Sequence, residues 1–438
     1  MVLNDSGRWR QLEGKTLLVL DGSQKAIEIV ENAQNMGLRV IITDYNSPTA
    51  SPAKLFADEY FNVSISDVEA VVELIREQNV SGVLPGFSDR WLPTYAKICQ
   101  AADLPAYATP EQLELFTDKN RYKKLLQQFE IPTVKGFDVE QARRGDIASE
   151  NYPLIIKPAD GSGSRGISIC NTFEQLSAGL SVALDYSWTN ETLVERYLPG
   201  DEATVFWVFQ DGEHYVSMLW NRHMHEFGGG AHRLPVAYSS PSHLIPRYLE
   251  EIAPKVREML ASVAVHNGIM FMQGLVRDGN FFTYDIGFRA TPTQEYRVTE
   301  HFCDFNPLKM LINFSVTGSM GEPLLGMKVN PAHAGYGFNV STLIQPGLVT
   351  TYEGIDTVRV LPGVLSSSTA MVPGDELPGE AVGQLRQVAV RTIGVADTAA
   401  DLGVTMRQVK ELIDVRDPSG ESLVLDSIAP INFEEQLL

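Results

Sequence analysis

Cysteine is scarce in this 438-residue sequence: Cys99, Cys170 and Cys303 are far apart and odd in number. They form no CxxC pair and no ligand spacing, which argues against a disulfide framework and for a reducing compartment, the cytoplasm. Long apolar runs are missing too. No uninterrupted stretch approaches the roughly 20 residues that cross a bilayer, so no membrane partner is expected. The opening residues, MVLNDSGRWRQLEGK, lack the apolar core of a signal peptide. Cations are in deficit, with 35 Lys and Arg against 55 Asp and Glu and a formal charge of −20. Such a surface repels nucleic-acid phosphate, so no nucleic-acid partner is expected either. Basic residues that cluster in spite of this balance are informative, and two groups do: residues 119–124, and Lys157 with Arg165.

What is present is ordinary globular composition, 44% apolar and 21% charged, in a chain long enough for two to four domains. The N-terminal third alternates strand-like runs with helical periods. Thr16–Leu20 (TLLVL) ends in Asp21-Gly22-Ser23 and leads to a helical stretch over 24–36, stopped by Gly37. Arg39–Thr43 (RVIIT) ends at Asp44, and a helix over 67–78 precedes a strand at 82–84 and the turn Pro85-Gly86. This alternation predicts a parallel sheet with helices on both faces. The first turn, DGSQKA, has no GxGxxG, so Asp44 reads as a strand-end residue and not as a ribose ligand.

Beyond residue 117 the plan becomes α+β. A basic helix (DKNRYKKLLQQF) is followed by strands at 153–157, 167–170, 192–197 and 203–209. A polar, Gly-rich excursion occupies 221–230, and the segment 221–233 reads as a solvent loop, or as a substrate contact through Arg222, His225 or Arg233. Its histidines invite a zinc hypothesis, but His223 and His225 share a face only on a strand, and no cysteine supports them. An amphipathic helix over 249–265 leads to a hairpin, 269–276 and 281–286, turning at Asp278-Gly279. Past 323 the chain is richer in Pro and Gly, with helices predicted around 380–393 and 405–413. The expected division is 1–115, 116–322 and 323–438.

The chemistry concentrates in the middle unit. Gly161, Ser162, Gly163 and Ser164 lie in a loop whose N–H groups can wrap phosphate oxygens. With no GK[ST] and a strand on either side, it would act as a flap, or else be a plain turn. Lys157, at the end of a buried strand, suits a phosphate. Lys119 opens the basic helix and could reach the same phosphates or simply face solvent. Where strand 192–197 leaves the cleft, the backbone at Glu195, Tyr197 and Leu198 can pair with adenine. Glu202 could then accept from ribose hydroxyls, or face water. Gln273 and Asp285 project from one face of the hairpin, as oxygen ligands for Mg²⁺ would. An acid within FFTYDI also needs a partner or a metal to be buried. Arg289 could hold a carboxylate or acyl phosphate bidentately. TPTQEYR, 291–297, is a second candidate for an acceptor pocket, and His243 reads as part of a helix start.

In this order the motifs (DK before a helix, KPADGSGSRGI, VERYLPGDE and MQGLVRDGNFFTYDIGFR) resemble the ATP-grasp superfamily. They are most similar to its carbamoyl phosphate synthetase and carboxylate–amine ligase branches, over roughly residues 17–321. The resemblance implies an α/β ATP-grasp fold, a preceding parallel-sheet domain and a small closing domain. It implies ATP phosphates on Lys119 and Lys157, adenine at 195–198, ribose at Glu202, and Mg²⁺ (or Mn²⁺) on Gln273 and Asp285. Arg289 would contact an acyl phosphate. The implied activity joins a small-molecule carboxylate to an amine, with release of ADP; the alternatives are carbamoyl or carboxy phosphate formation, and a non-catalytic ATP-binding protein. A homodimer is the oligomer seen often in such proteins. Two positions depart: the usual E-x-N-x-R reads D-I-G-F-R, with Asp285 for Glu and Gly287 for Asn.

Overall fold

A computed structural model describes residues 9–160, 165–227, 232–324 and 329–425. The N-terminal unit is a four-stranded parallel sheet in the order Glu59–Phe61, Arg39–Thr43, Thr16–Leu20, Gly82–Pro85. Every residue of Thr16–Leu20 is buried, which is why that run is apolar throughout and does not alternate: helices cover both faces of a parallel sheet. The helices expected between the strands form, at Ile27–Asn35 and Val68–Glu77, the latter capped by the Asp67 side chain.

A small antiparallel sheet follows, in the order Gly136–Phe137, Thr192–Arg196, Leu154–Pro158, Ser168–Cys170. Helix Phe173–Asp185 buries Leu176, Leu180 and Ala183 against Leu154, Ile156 and Val194 of this sheet. The largest layer is an antiparallel sheet of eight strands. It starts with Asn280–Gly287, Gly268–Arg277, Asp201–Gln210 and Glu213–Phe227, and continues through His232–Ser240, Tyr336–Leu343, Val388–Ala396 and Val364–Thr369. Its last three strands come from beyond residue 323 and carry helix Ala399–Leu412, which packs Leu402, Met406 and Val409 with Phe338 and Val340. No helix among the described residues is long and apolar enough to cross a membrane.

Two expectations are corrected. The segment 380–393 is no helix: short 3-10 turns lead into strand Val388–Ala396. Its VAVRTI run is rich in β-branched residues, which fit a pleated surface better than a helical turn. Nor is 221–227 a loop. It continues strand Glu213–Phe227 and pairs with His232–Ser240, Arg222 facing Tyr238 and His223 facing Ala237. Its polarity reflects the cleft it lines, because Arg222 and Met224 face that space. His223 is buried, with Nε2 2.9 Å from Ser239 Oγ.

Candidate active site

Between the small sheet, the hairpin end of the large sheet and the N-terminal unit lies a cleft of about 1020 Å³. The helix Lys119–Gln128 starts at its rim because Asp118 caps it, accepting from the Asn120 and Arg121 N–H groups. That cap aims Lys119 into the cleft, where its Nζ lies 3.2 Å from Asp285 Oδ1. One turn later, on the same face, Lys123 is buried and ion-paired with Glu195. Lys157, from strand Leu154–Pro158, reaches the same carboxylate, Nζ to Oε2 at 2.7 Å. Glu195 is 1% exposed. Its side chain is thus the anion shared by two buried lysines. Burial, with neighbouring cations, lowers the pKa of both lysines, most strongly for Lys123.

The expected ligand pair faces one way. Gln273 and Asp285 are opposite each other in the ladder of Gly268–Arg277 with Asn280–Gly287, and both line the cleft. Strand alternation and the Asp278-Gly279 turn, both with positive φ, set this register. Tyr122 OH donates to Asp285 Oδ1 at 3.0 Å. Burial pushes the Asp285 carboxyl up, but Lys119 and Lys157 outweigh it and hold the pKa below the usual value. Two oxygen donors side by side, one kept anionic, fit a hard cation such as Mg²⁺. At Gly287 a Cβ would overlap ring carbons of Phe271. The phenyl ring fills the space that a ligand side chain there would need.

Glu202 is buried and already neutralised. It accepts from Tyr284 OH at 2.8 Å and lies 2.9 Å from Arg222 Nη1, with Arg233 3.7 Å away. Tyr197 and Leu198 line the cleft where their strand ends, but the Tyr197 N–H donates to Pro153 O at 2.9 Å. Arg289 makes a two-pronged pair with Asp89, 2.7 Å on each arm, and its guanidinium sits 5.1 Å from the centre of the Phe271 ring. Thr291, Gln294 and Arg297 of TPTQEYR also line the cleft, Arg297 pairing with Glu28 at 2.7 Å. Gly161, Ser162, Gly163 and Ser164 lie outside the described residues.

Four partners escaped the sequence reading: Asp89, Tyr122, Lys123 and Tyr284. Helical spacing from Lys119 offers a signal for Tyr122 and Lys123, at i+3 and i+4. Asp89 and Tyr284 carry no local sign of their contacts.

Residues 118–255 match the family described as carbamoyl-phosphate synthase L chain, ATP binding domain. The large chain of carbamoyl phosphate synthase from Clostridium perfringens is 21% identical over 366 residues, 83% of this chain and 32% of that protein. The chain therefore spans about a third of the length of this relative. Among solved structures, the biotin carboxylase domain dimer of Hydrogenobacter thermophilus 2-oxoglutarate carboxylase, bound to MgADP, ADP and bicarbonate, superposes with a TM-score of 0.73. It is 19% identical, with 92% of this chain and 90% of that one covered. An L-amino acid ligase from Bacillus licheniformis gives 0.73 at 17% identity, covering 92% and 99%. The fold is that of the ATP-grasp proteins, as the motifs implied, and residues 118–255 are similar to the ATP binding domain of the carbamoyl-phosphate synthase L chain.

Proposed function

We propose, from this ATP-grasp fold, that the chain is an ADP-forming ligase that joins a carboxylate to an amine through an acyl phosphate. The observation that carries the reading is convergence. Lys119, Lys157 and Gln273 come from three separate segments, Asp285 and Arg289 from a fourth, and all five line one cleft. Lys119 and Lys157 would bind the ATP phosphates, the chain at Leu198 would meet the adenine, and Glu202, held by Arg222 and Tyr284, would face the ribose. Gln273 and Asp285 would hold Mg²⁺, or Mn²⁺ in its place, which would offset charge on the phosphates. A carboxylate oxygen attacks the γ-phosphorus, the bond to the β-phosphate oxygen breaks, and ADP leaves. The amine nitrogen then attacks the acyl carbon; the C–O bond to phosphate breaks and a proton passes to water. Arg289, always charged and planar, is suited to the acyl phosphate; Asp89 fixes its orientation until substrate arrives.

The division at 115 and 322, small-molecule substrates, a homodimer and the cytoplasm belong to this proposal. Three buried, free cysteines suit a reducing compartment. The phenyl ring at Gly287 favours a second reading, a nucleotide binder with a reduced metal set and no turnover. Incubation with MgATP and paired acids and amines separates the two. Turnover should release ADP and phosphate, and hydroxylamine should trap a hydroxamate. AMP with pyrophosphate would rule out the acyl phosphate route, and nucleotide binding with no ADP from any pair would favour the second reading.

A further inference from the structure

The cleft continues past Arg289, and its far wall is basic. Lys25, in the turn after strand Thr16–Leu20, and Arg391, on strand Val388–Ala396, both line it. Lys25 is exposed on the cleft wall, within reach of the Arg391 charge, which opposes its own, and of Asp21, which favours it. The other arginines nearby are answered within the fold, Arg289 by Asp89 and Arg297 by Glu28. Lys25 and Arg391 are not. Among the described residues Lys25 has no hydrogen-bond or ion-pair partner, and Arg391 has a 3.3 Å bond from Nη1 to Asn339 Oδ1 and the Tyr238 ring 6.0 Å away, but no anion. Glu295 feels Arg391, but its carboxylate accepts from the Thr291 and Thr293 hydroxyls and forms no ion pair. Two cations on one cleft wall, neither held in an ion pair, repel each other, and an anion between them removes that cost.

Beside them lies the opposite demand. Ser368 pairs with Arg391 across the ladder, and its Oγ accepts from Gln294 Nε2 at 3.1 Å. Gln294 is 3% exposed, and its Oε1 has no donor among the described residues. A buried acceptor left unpaired calls for an N–H group from a ligand. A phosphate there would set oxygen against oxygen. We propose that the amine acceptor is an amino acid, its carboxylate held between Lys25 and Arg391 and its amino group donating to Gln294 Oε1.

The inference rests on the ligase reading for the direction of attack, and the test separates the two. The protein saturated with MgADP is titrated calorimetrically with each common L-amino acid, with the corresponding amino-acid amides, and with phosphoethanolamine. At least one amino acid should bind, its amide at least about tenfold more weakly, since a charge-assisted contact is lost. Lys25→Met, a change at an open position, and Arg391→Gln should each weaken that amino acid by at least about tenfold. MgADP affinity should stay the same in Lys25→Met. Failure of MgADP to bind would remove the ligase reading itself. MgADP binding with no amino acid bound, an amide as tight as its acid, or wild-type affinity in Lys25→Met would refute the amino-acid site alone. Lys25-dependent binding of phosphoethanolamine in place of every amino acid would make the anion a phosphate and refute it equally.

Discussion

Glu195→Gln probes the electrostatics of the cleft most directly. The Glu195 carboxylate is 1% exposed and is shared by Lys123 and Lys157, so one negative charge answers two positive ones away from water. The amide keeps the volume and leaves two ammonium groups side by side without an anion. Removing one partner of a buried pair costs roughly 3–5 kcal/mol. Lys157 retains an acceptor in Tyr284 O at 3.4 Å, so a loss near the lower end, about 3 kcal/mol, is expected. Polyphosphate entering the cleft should meet the freed Lys157, which lines it, and recover part of that loss. The apo variant should therefore melt below wild type, yet gain more from nucleotide. Differential scanning calorimetry at pH 7, without and with MgATP, reads both quantities; a ligand at about 100 times its Kd adds about 2.7 kcal/mol by mass action alone. Unchanged apo melting would mean that the carboxylate does not bear the two lysine charges. A smaller nucleotide gain than wild type would mean that Lys157 does not face the phosphates.

Lys157→Met should behave differently, because Lys123 and Glu195 remain as a one-to-one pair: the fold should hold while calorimetry shows MgATP affinity falling about 10–100-fold. Unchanged affinity in the folded variant would remove Lys157 from the phosphate site. Asp285→Asn should spare the fold and cut ADP release across a magnesium titration, with Gln273→Ala doing less because water replaces a neutral ligand more readily; equal rates in Asp285→Asn and wild type would make the hairpin purely structural. Gly287→Asn should destabilise by about 1–3 kcal/mol through collision with Phe271, and adding Phe271→Ala should relieve that collision, so additive losses in urea melts would contradict the overlap. Burial lowers the His333 pKa to about 4 from 6.5. The unfolded chain therefore takes the proton first as pH falls, and stability should drop between pH 6.5 and 4 by up to about 3 kcal/mol. His333→Gln should flatten that part of the stability curve, and an unchanged slope would show that another group controls it.

Much of this architecture was legible because its signals are local. Continuous apolar runs separated by helical periods encode the parallel sheet, and the Asp278-Gly279 turn with strand alternation places Gln273 opposite Asp285. A DK pair before a basic run marks a capped helix that brings Lys119 into the cleft. Where the reading failed, local preference competed with tertiary demand. Asn221–Phe227 looks like a loop because its polar residues serve a cleft, yet ladder bonds on both sides hold it as a strand. The segment 380–393 carries apolar spacing compatible with a helix, but its β-branched half is taken up by two neighbouring strands.

The sequence by itself determined most of the helices and strands around the cleft, the strand at 221–227 and the one at 388–396 excepted, and which residue types reach it. Only the tertiary structure decided what those side chains meet. Glu195 reads as a strand residue offering its backbone, but packing of the helix at 119–128 against the small sheet makes its carboxylate a counter-ion for two lysines. Arg289 meets Asp89 across 200 positions of chain, and Lys25 and Arg391, far apart in sequence, line one cleft. Periodicity reports which face of an element is buried. It holds no information about which distant element covers that face, because that depends on how separately specified layers pack together.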